Sequence, residues 1–249
     1  MSAINADIII PARYASSRFP GKPLAKISGV PLIKRVYDTC LEVVSAERIW
    51  VATDDERIRD YCLGNTMQFI QTSTTCPTGT DRVAEANEIL GSELVINVQG
   101  DEPCLNPEDI IKVYRKKLEN FESVVNGYCL YEGDLDVIEN NIPKVVVNEK
   151  GKLIYISRSN IPYDHSRTKS SYATLSRQVC IYAFSASQLK EFRKFGRKSQ
   201  LEDIEDIEIL RFFELSISVQ MVELNSSIAV DYPRDIKLVE EFLLKKSQR

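Results

Sequence analysis

The sequence predicts an α/β protein: a doubly wound, mostly parallel sheet with a smaller mixed β lobe. Two observations carry this. Over the first 120 residues, short apolar runs alternate four times with amphipathic helical stretches, the rhythm of parallel strands joined by crossover helices. After Glu122 the rhythm changes to closely spaced strand-like runs, with no Gly-, Pro- or Ser-rich connector between. That shift reads as a change of topology inside one domain spanning 1–249. One half comprises 1–121 with the region of Asp231, and the other is a lobe over 122–224.

Composition bounds the function. A chain of 249 residues can bury a self-sufficient core, and 43% hydrophobic with 27% charged residues is ordinary for a soluble globular protein. Lys and Arg number 32 against 36 Asp and Glu, a net charge of −4, which argues against general nucleic-acid binding. Any anion site must therefore be a local concentration of cations. The six cysteines are too widely spaced for a zinc site or a disulfide framework and read as reduced thiols. The opening MSAINADIII lacks the features of an export signal, and no stretch approaches the ~20 apolar residues that span a bilayer. A cytoplasmic location without membrane contact is expected.

The first strand is Ile8-Ile9-Ile10, and it empties into a loop carrying Arg13, Ser16, Arg18, Gly21 and Lys22. Open α/β sheets place ligands at the carboxyl ends of their strands. Three cations on one such loop suggest a polyphosphate, each close charge pair contributing about 4 kcal/mol at ~4 Å and an effective dielectric of ~20. Arginine adds a fork that matches phosphate oxygens. A solvated basic loop is the alternative.

Pro31 opens a helix whose Leu32, Ile33, Val36, Tyr37, Cys40, Leu41 and Val44 recur at three- and four-residue spacing. Arg48 to Ala52 is the second strand. Asp54 or Asp55 after it caps the next helix or touches a ligand, and Gly64 stops that helix. Met67 to Thr72 is the third strand. It leads to Thr78-Gly79-Thr80-Asp81-Arg82 and a helix marked by Val83, Ala86, Ile89 and Leu90. Thr80 or Asp81 serves as its N-cap with Glu85 following, or the glycine-containing entrance and Arg82 hold part of an anionic or heterocyclic ligand.

Leu94 to Val98 is the fourth strand, and it empties into Gln99-Gly100-Asp101-Glu102. A carboxylate there is well placed for a divalent cation, and Mg2+ favours one or two carboxylates plus substrate phosphates. Pro107 then starts another helix.

In the second half, Ser123 to Tyr131 is strand-like, and Lys144 to Val147 and Lys152 to Ser157 flank a hairpin turn at Asn148-Glu149-Lys150-Gly151. Arg158 follows directly and could bind a carboxylate or form a rim ion pair. Tyr163 to Ser176 is polar and holds the single histidine, His165, in a loop that does not suit a catalytic base. Arg177 to Phe184 is a strand, and Ser185 with Gln188 forms a capping box. Leu201, Ile204, Ile207, Leu210, Phe213 and Leu215 trace one helical face, leaving the neighbouring acidic residues solvated. Val219 to Leu224 alternates as a strand. Asp231 precedes a helix from Pro233, either as its cap or as the second carboxylate that metal chemistry needs.

The segments PARYASSRFPGKPL, VATDDERI, TGTDRVAEA and INVQGDEP, and more loosely RSNIPY, IYAF and AVDYPRDI, resemble the 3-deoxy-manno-octulosonate (Kdo) cytidylyltransferases along nearly the whole chain. The resemblance implies a Rossmann-like, nucleotide-diphospho-sugar-transferase-like fold. It further implies a Mg2+-dependent homodimer transferring CMP from CTP to the anomeric hydroxyl of a 3-deoxy-2-ulosonic acid, for lipopolysaccharide or capsule. By that likeness, Arg13, Ser16, Arg18 and Lys22 bind the phosphates, and Thr78, Gly79, Thr80, Asp81 and Arg82 the cytidine. Asp101 and Asp231 hold the metal, with Arg13 and Lys22 joining them in catalysis. Gln99, Glu102, Arg158, Gln178, Tyr182 and Glu208 face the sugar, within the 122–224 lobe and beside it. The family usually has Thr at Tyr232, and it usually has His at Gln178 and Gln at Ile209; the last two departures fall in the sugar pocket and point to a modified acceptor such as the 8-amino-8-deoxy sugar. PGKPL and QGDEP separate the chain from enzymes activating nine-carbon sialic-type acids. The paired aspartates and three loop cations separate it from a catalytically silent relative.

Overall fold

The computed structural model describes residues 4–16, 18–131, 140–163, 165 and 175–247. Strand β1 (Asp7–Ala12) leads through the basic loop into a small hairpin, β2 (Lys26–Ile27) with β3 (Val30–Pro31). There follow α1 (Leu32–Leu41), β4 (Ile49–Thr53), α2 (Glu56–Gly64), β5 (Phe69–Gln71), α3 (Gly79–Leu90), β6 (Leu94–Val98) and α4 (Pro107–Glu119). The second half supplies β7 (Val124–Leu130), β8 (Lys144–Val147), β9 (Leu153–Ser157), β10 (Ser176–Ser185), α5 (Ala186–Lys194), α6 (Gln200–Glu205), α7 (Arg211–Glu214), β11 (Val219–Glu223) and α8 (Asp235–Ser247).

One sheet runs through the molecule in the order β11-β7-β10-β6-β1-β4-β5. β6, β1, β4 and β5 are parallel, as the strand–helix alternation predicts. β10 then enters antiparallel between β6 and β7, and β11 lies parallel to β7. The sheet therefore crosses position 122 unbroken, and the β8–β9 hairpin pairs onto the free length of β10.

The sheet is buried on both faces, which is why its strands are continuously apolar rather than alternating with polar residues. Ile8 and Ile10 pack with Val36 and Cys40 of α1 and with Ile110 and Val113 of α4. Ile9 points the other way, to Val83 and Ala86 of α3 and to Leu189 and Phe192 of α5.

Four local readings differ from sequence expectation. Helix α3 is capped by Thr78, whose hydroxyl accepts from the Asp81 N–H at 3.2 Å, rather than by Thr80 or Asp81. The face drawn from Leu201 to Leu215 is not one helix. Asp206 takes a left-handed conformation (φ 50°) between α6 and a short 3-10 turn, and Ile204 is 72% exposed. Glu202 is buried rather than solvated. Its carboxylate and that of Asp81 both accept from the fully buried Arg211 guanidinium at 2.7 Å. Helix α8 starts at Asp235 rather than Pro233, and the Asp235 carboxylate accepts from the N–H groups of Asp231 and Tyr232, both at 2.8 Å. Asp55 is the α2 cap, the Ser185–Gln188 capping box is present, and most of the polar stretch after Tyr163 lies outside the described residues.

Candidate active site

The carboxyl ends of β1 and β6 open into a cleft of about 320 Å³. Two backbone features shape its floor. Gly21 sits at φ 75° where a side chain would strike the Tyr14 ring at 3.0 Å, and its N–H and that of Ser16 both donate to the Tyr14 carbonyl at 2.9 Å. The basic loop is thus folded back on its own start. Gly100 lets the end of β6 approach β1, since a Cβ there would lie 2.9 Å from the Pro11 carbonyl oxygen.

The loop cations face the two aspartates. Lys22 Nζ donates to Asp101 Oδ2 and to the Val230 carbonyl, both at 2.8 Å. Arg18 lies 3.6 Å from Asp231 Oδ1, and Arg13 is exposed on the same rim. The Val230 N–H donates to the Asp101 carbonyl at 2.9 Å, so the segment bearing Asp231 is stitched to the loop bearing Asp101. Asn141 Nδ2 adds a 3.3 Å donation to Asp231 Oδ2. Among the described residues, no group of three or more His, Cys, Asp or Glu would hold a metal. Two carboxylates on one wall suit a cation that takes its remaining ligands from phosphate oxygens and water.

The helix entrance at α3 behaves differently from an open phosphate cradle. Glu208 accepts from the N–H groups of Gly79 (2.9 Å) and Thr80 (2.7 Å) and from the Thr80 hydroxyl (2.6 Å). An internal carboxylate thereby fills the place an anionic ligand would take at a helix N-terminus. Burial pushes the Glu208 carboxyl up, with the Thr80 and Gly79 donors working against it. Thr78 and Gly79 line the cleft, and so does Arg82, which is itself buried and tied to Asp54 at 3.3 Å and to the Thr72 hydroxyl. Thr80 and Asp81 do not line it. Thr80 serves Glu208, and Asp81 serves Arg211.

Gln99, Glu102, Arg158, Gln178 and Tyr182 also line the cleft, Gln99 beside Gly79. Glu102 is buried, accepting from the Cys180 N–H at 3.0 Å and the Ser227 hydroxyl at 2.7 Å. Burial first, and the Asp101 charge second, push its carboxyl up. Burial also pushes up the Tyr182 phenol and the Cys180 thiol. Arg158 spends a donor from each nitrogen on main-chain carbonyls of Glu205, Asn141 and Asp206, stapling the rim together. Lining residues that the sequence reading missed include Asn141, Arg177 and Lys198. None sits in a motif, and only the tertiary packing brings them to the cleft.

The cytidylyltransferase family profile matches residues 8–220. The chain belongs to the cytidylyltransferase family. It is 38% identical over 242 residues, 95% of its length and 93% of the relative's, to the 3-deoxy-manno-octulosonate cytidylyltransferase of Chlamydia trachomatis serovar A. It is 36% identical, over 96% of its length and 99% of the relative's, to the 8-amino-3,8-dideoxy-manno-octulosonate cytidylyltransferase of Shewanella sp. strain W3-18-1. A solved CMP:2-keto-3-deoxy-manno-octonic acid synthetase complexed with CTP superposes with a TM-score of 0.86 at 32% identity, covering 97% of this chain and 99% of that one. A Leptospira borgpetersenii cytidylyltransferase, at 12% identity and a TM-score of 0.64, shares the fold. Among the described residues of this cytidylyltransferase, no helix is long and apolar enough to cross a membrane.

Proposed function

We propose that the protein transfers CMP from CTP to the anomeric hydroxyl of a 3-deoxy-manno-octulosonic acid, Kdo or its 8-amino analogue, releasing pyrophosphate. The observation that carries this is the stitched pair of Asp101 and Asp231 facing Arg18 and Lys22, with Arg13 lining the same cleft, in a chain alike end to end to enzymes of that name. Nucleotidyl transfer asks little covalent chemistry of a protein, so positioning and charge neutralisation dominate. Arg13, Arg18 and Lys22 neutralise the triphosphate and the departing pyrophosphate. Thr78, Gly79 and Arg82 border the nucleoside, and Gln99, Gln178 and Tyr182 the acceptor.

Asp101 and Asp231 are the residues that would hold a magnesium ion. When bound, the ion supplies a Lewis acid that lowers the pKa of the attacking hydroxyl. Lys22 and Arg18 pair with these carboxylates, so each aspartate has a charged partner. The resemblance further supports a homodimer acting in the cytoplasm, and light scattering of the purified chain tests the dimer directly.

Relatives of both acceptor names lie at 36–38% identity, so likeness does not choose between the two sugars. Incubation with CTP, Mg2+ and each sugar separately, with the CMP-sugar read by mass spectrometry, tests the reading. A CMP-octulosonate product is expected. Turnover restricted to a nine-carbon acid, or none with any acid, would overturn it.

A further inference from the structure

Strand β10 carries a bulge. Its pairing with β7 jumps from Val179 opposite Gly127 to Tyr182 opposite Asn126. Bulges interrupt the ladder and re-aim side chains beside functional sites. Here the wholly buried Asn126 fills the gap, its Nδ2 donating to the Val179 carbonyl at 3.1 Å and the Ile181 carbonyl at 2.9 Å. Both amide hydrogens are used, so Oδ1 must be the atom facing Gln178. Gln178 Nε2 donates to that oxygen at 2.9 Å and to the Tyr182 hydroxyl at 3.1 Å. One polar side-chain atom of Gln178 is left, the carbonyl Oε1, with no partner among the described residues. Gln178 is only 6% exposed and lines the cleft.

We infer that Asn126 is a positioning residue that locks the Gln178 amide with its carbonyl oxygen presented to the cleft, so that this wall accepts only a hydrogen-bond donor of the acceptor sugar. The inference rests on the proposed function, which makes this wall the acceptor side. Rotating the Gln178 amide would set its Oε1 against Asn126 Oδ1, two acceptors with no proton between them. The constraint therefore runs from the bulge carbonyls through Asn126 to Gln178. A neutral oxygen takes either a hydroxyl or an ammonium group. An apolar group there would leave Oε1 desolvated and unpaired, which a nearly buried site penalises heavily.

The test compares kcat/KM, at saturating CTP, for acceptors in which each hydroxyl in turn is replaced by hydrogen. In the wild-type enzyme one replacement should cost at least about 100-fold. In Gln178→Leu that penalty should vanish while the others persist and the KM for CTP stays put. Asn126→Ala should relax the same position, and adding it to Gln178→Leu should change nothing further, because both act through one oxygen. Should Asn126→Ala fail to fold, Asn126→Ser takes its place. Its hydroxyl can still donate to one bulge carbonyl but is too short to receive the Gln178 amide, so the same position should relax. Unchanged penalties in Gln178→Leu, or full selectivity in a folded Asn126 variant, would overturn the lock. A wild-type enzyme that binds CTP yet turns over no octulosonate would overturn the acceptor reading itself, and the lock with it.

Discussion

Asp101 and Val230 are joined through the main chain, the Val230 N–H donating to the Asp101 carbonyl at 2.9 Å. The bond sets Asp231, the next residue, on the same wall as Asp101. Lys22 reinforces the junction by bonding the Asp101 carboxylate and the Val230 carbonyl with one ammonium. Chain segments remote in sequence are thus held in one site by three hydrogen bonds from two donors.

Arg13 is exposed at the cleft rim. Arg13→Ala should therefore leave the melting temperature within a degree or so, since exposed surface substitutions rarely exceed about 0.5 kcal/mol. Steady-state kinetics should show a fall in kcat/KM for CTP of about tenfold or more, a gap that narrows as salt screens the wild-type charge.

Arg211 is the opposite case. It is fully buried and bridges Asp81 and Glu202, whose carboxylates each accept at 2.7 Å. Arg211→Met would strand two buried carboxylates and should cost about 3–5 kcal/mol. A thermal melt should fall by roughly 10 °C. A shift below about 2 °C would show that the network is not holding α3 to α6 and α7.

Asn97 lies in the centre of β6 with 0% exposure, and neither Nδ2 nor Oδ1 has a partner among the described residues. A buried unpaired amide costs about 1–3 kcal/mol, whereas an apolar group of similar shape can be neutral or better. Asn97→Leu should hold or raise the melting temperature. A marked loss of stability would mean the amide is paired in solution.

Burial raises the folded-state pKa of Glu102 above its ordinary 4.5, with Asp101 adding to the effect. Where the folded pKa is raised, the folded state binds more protons than the unfolded state through the window above 4.5, so stability falls there as pH rises. In Glu102→Gln the side-chain amide oxygen could still accept from the Cys180 N–H, as the carboxylate does, without carrying a charge. The stability of this variant relative to wild type should therefore grow as pH rises from about 4.5 and then level off, as melts across pH would record.

The sequence made legible what depends on local pattern: the four parallel strands, the basic loop at the end of β1, and the carboxylate at the end of β6. It missed what depends on distant partners. Nothing near Ser176–Ser185 announces that β10 runs antiparallel between β6 and β7, because an apolar strand carries no mark of direction. Glu208 reads as one of an acidic run, yet it closes the N-terminus of α3 across 129 positions. Asp81 likewise looks like a cap or ligand residue until Arg211 is brought to it. The break at Asp206 escaped a reading of apolar spacing because a left-handed turn at a non-glycine residue leaves that spacing intact.

The most direct test is pyrophosphate release with CTP, Mg2+ and the octulosonate acceptor, in wild type and in Asp101→Asn and Asp231→Asn chains shown by circular dichroism to be folded. A site built on these carboxylates predicts a loss of at least about 10²–10³-fold in each variant, with melting temperatures little changed. Near-wild-type release from both folded variants would contradict it.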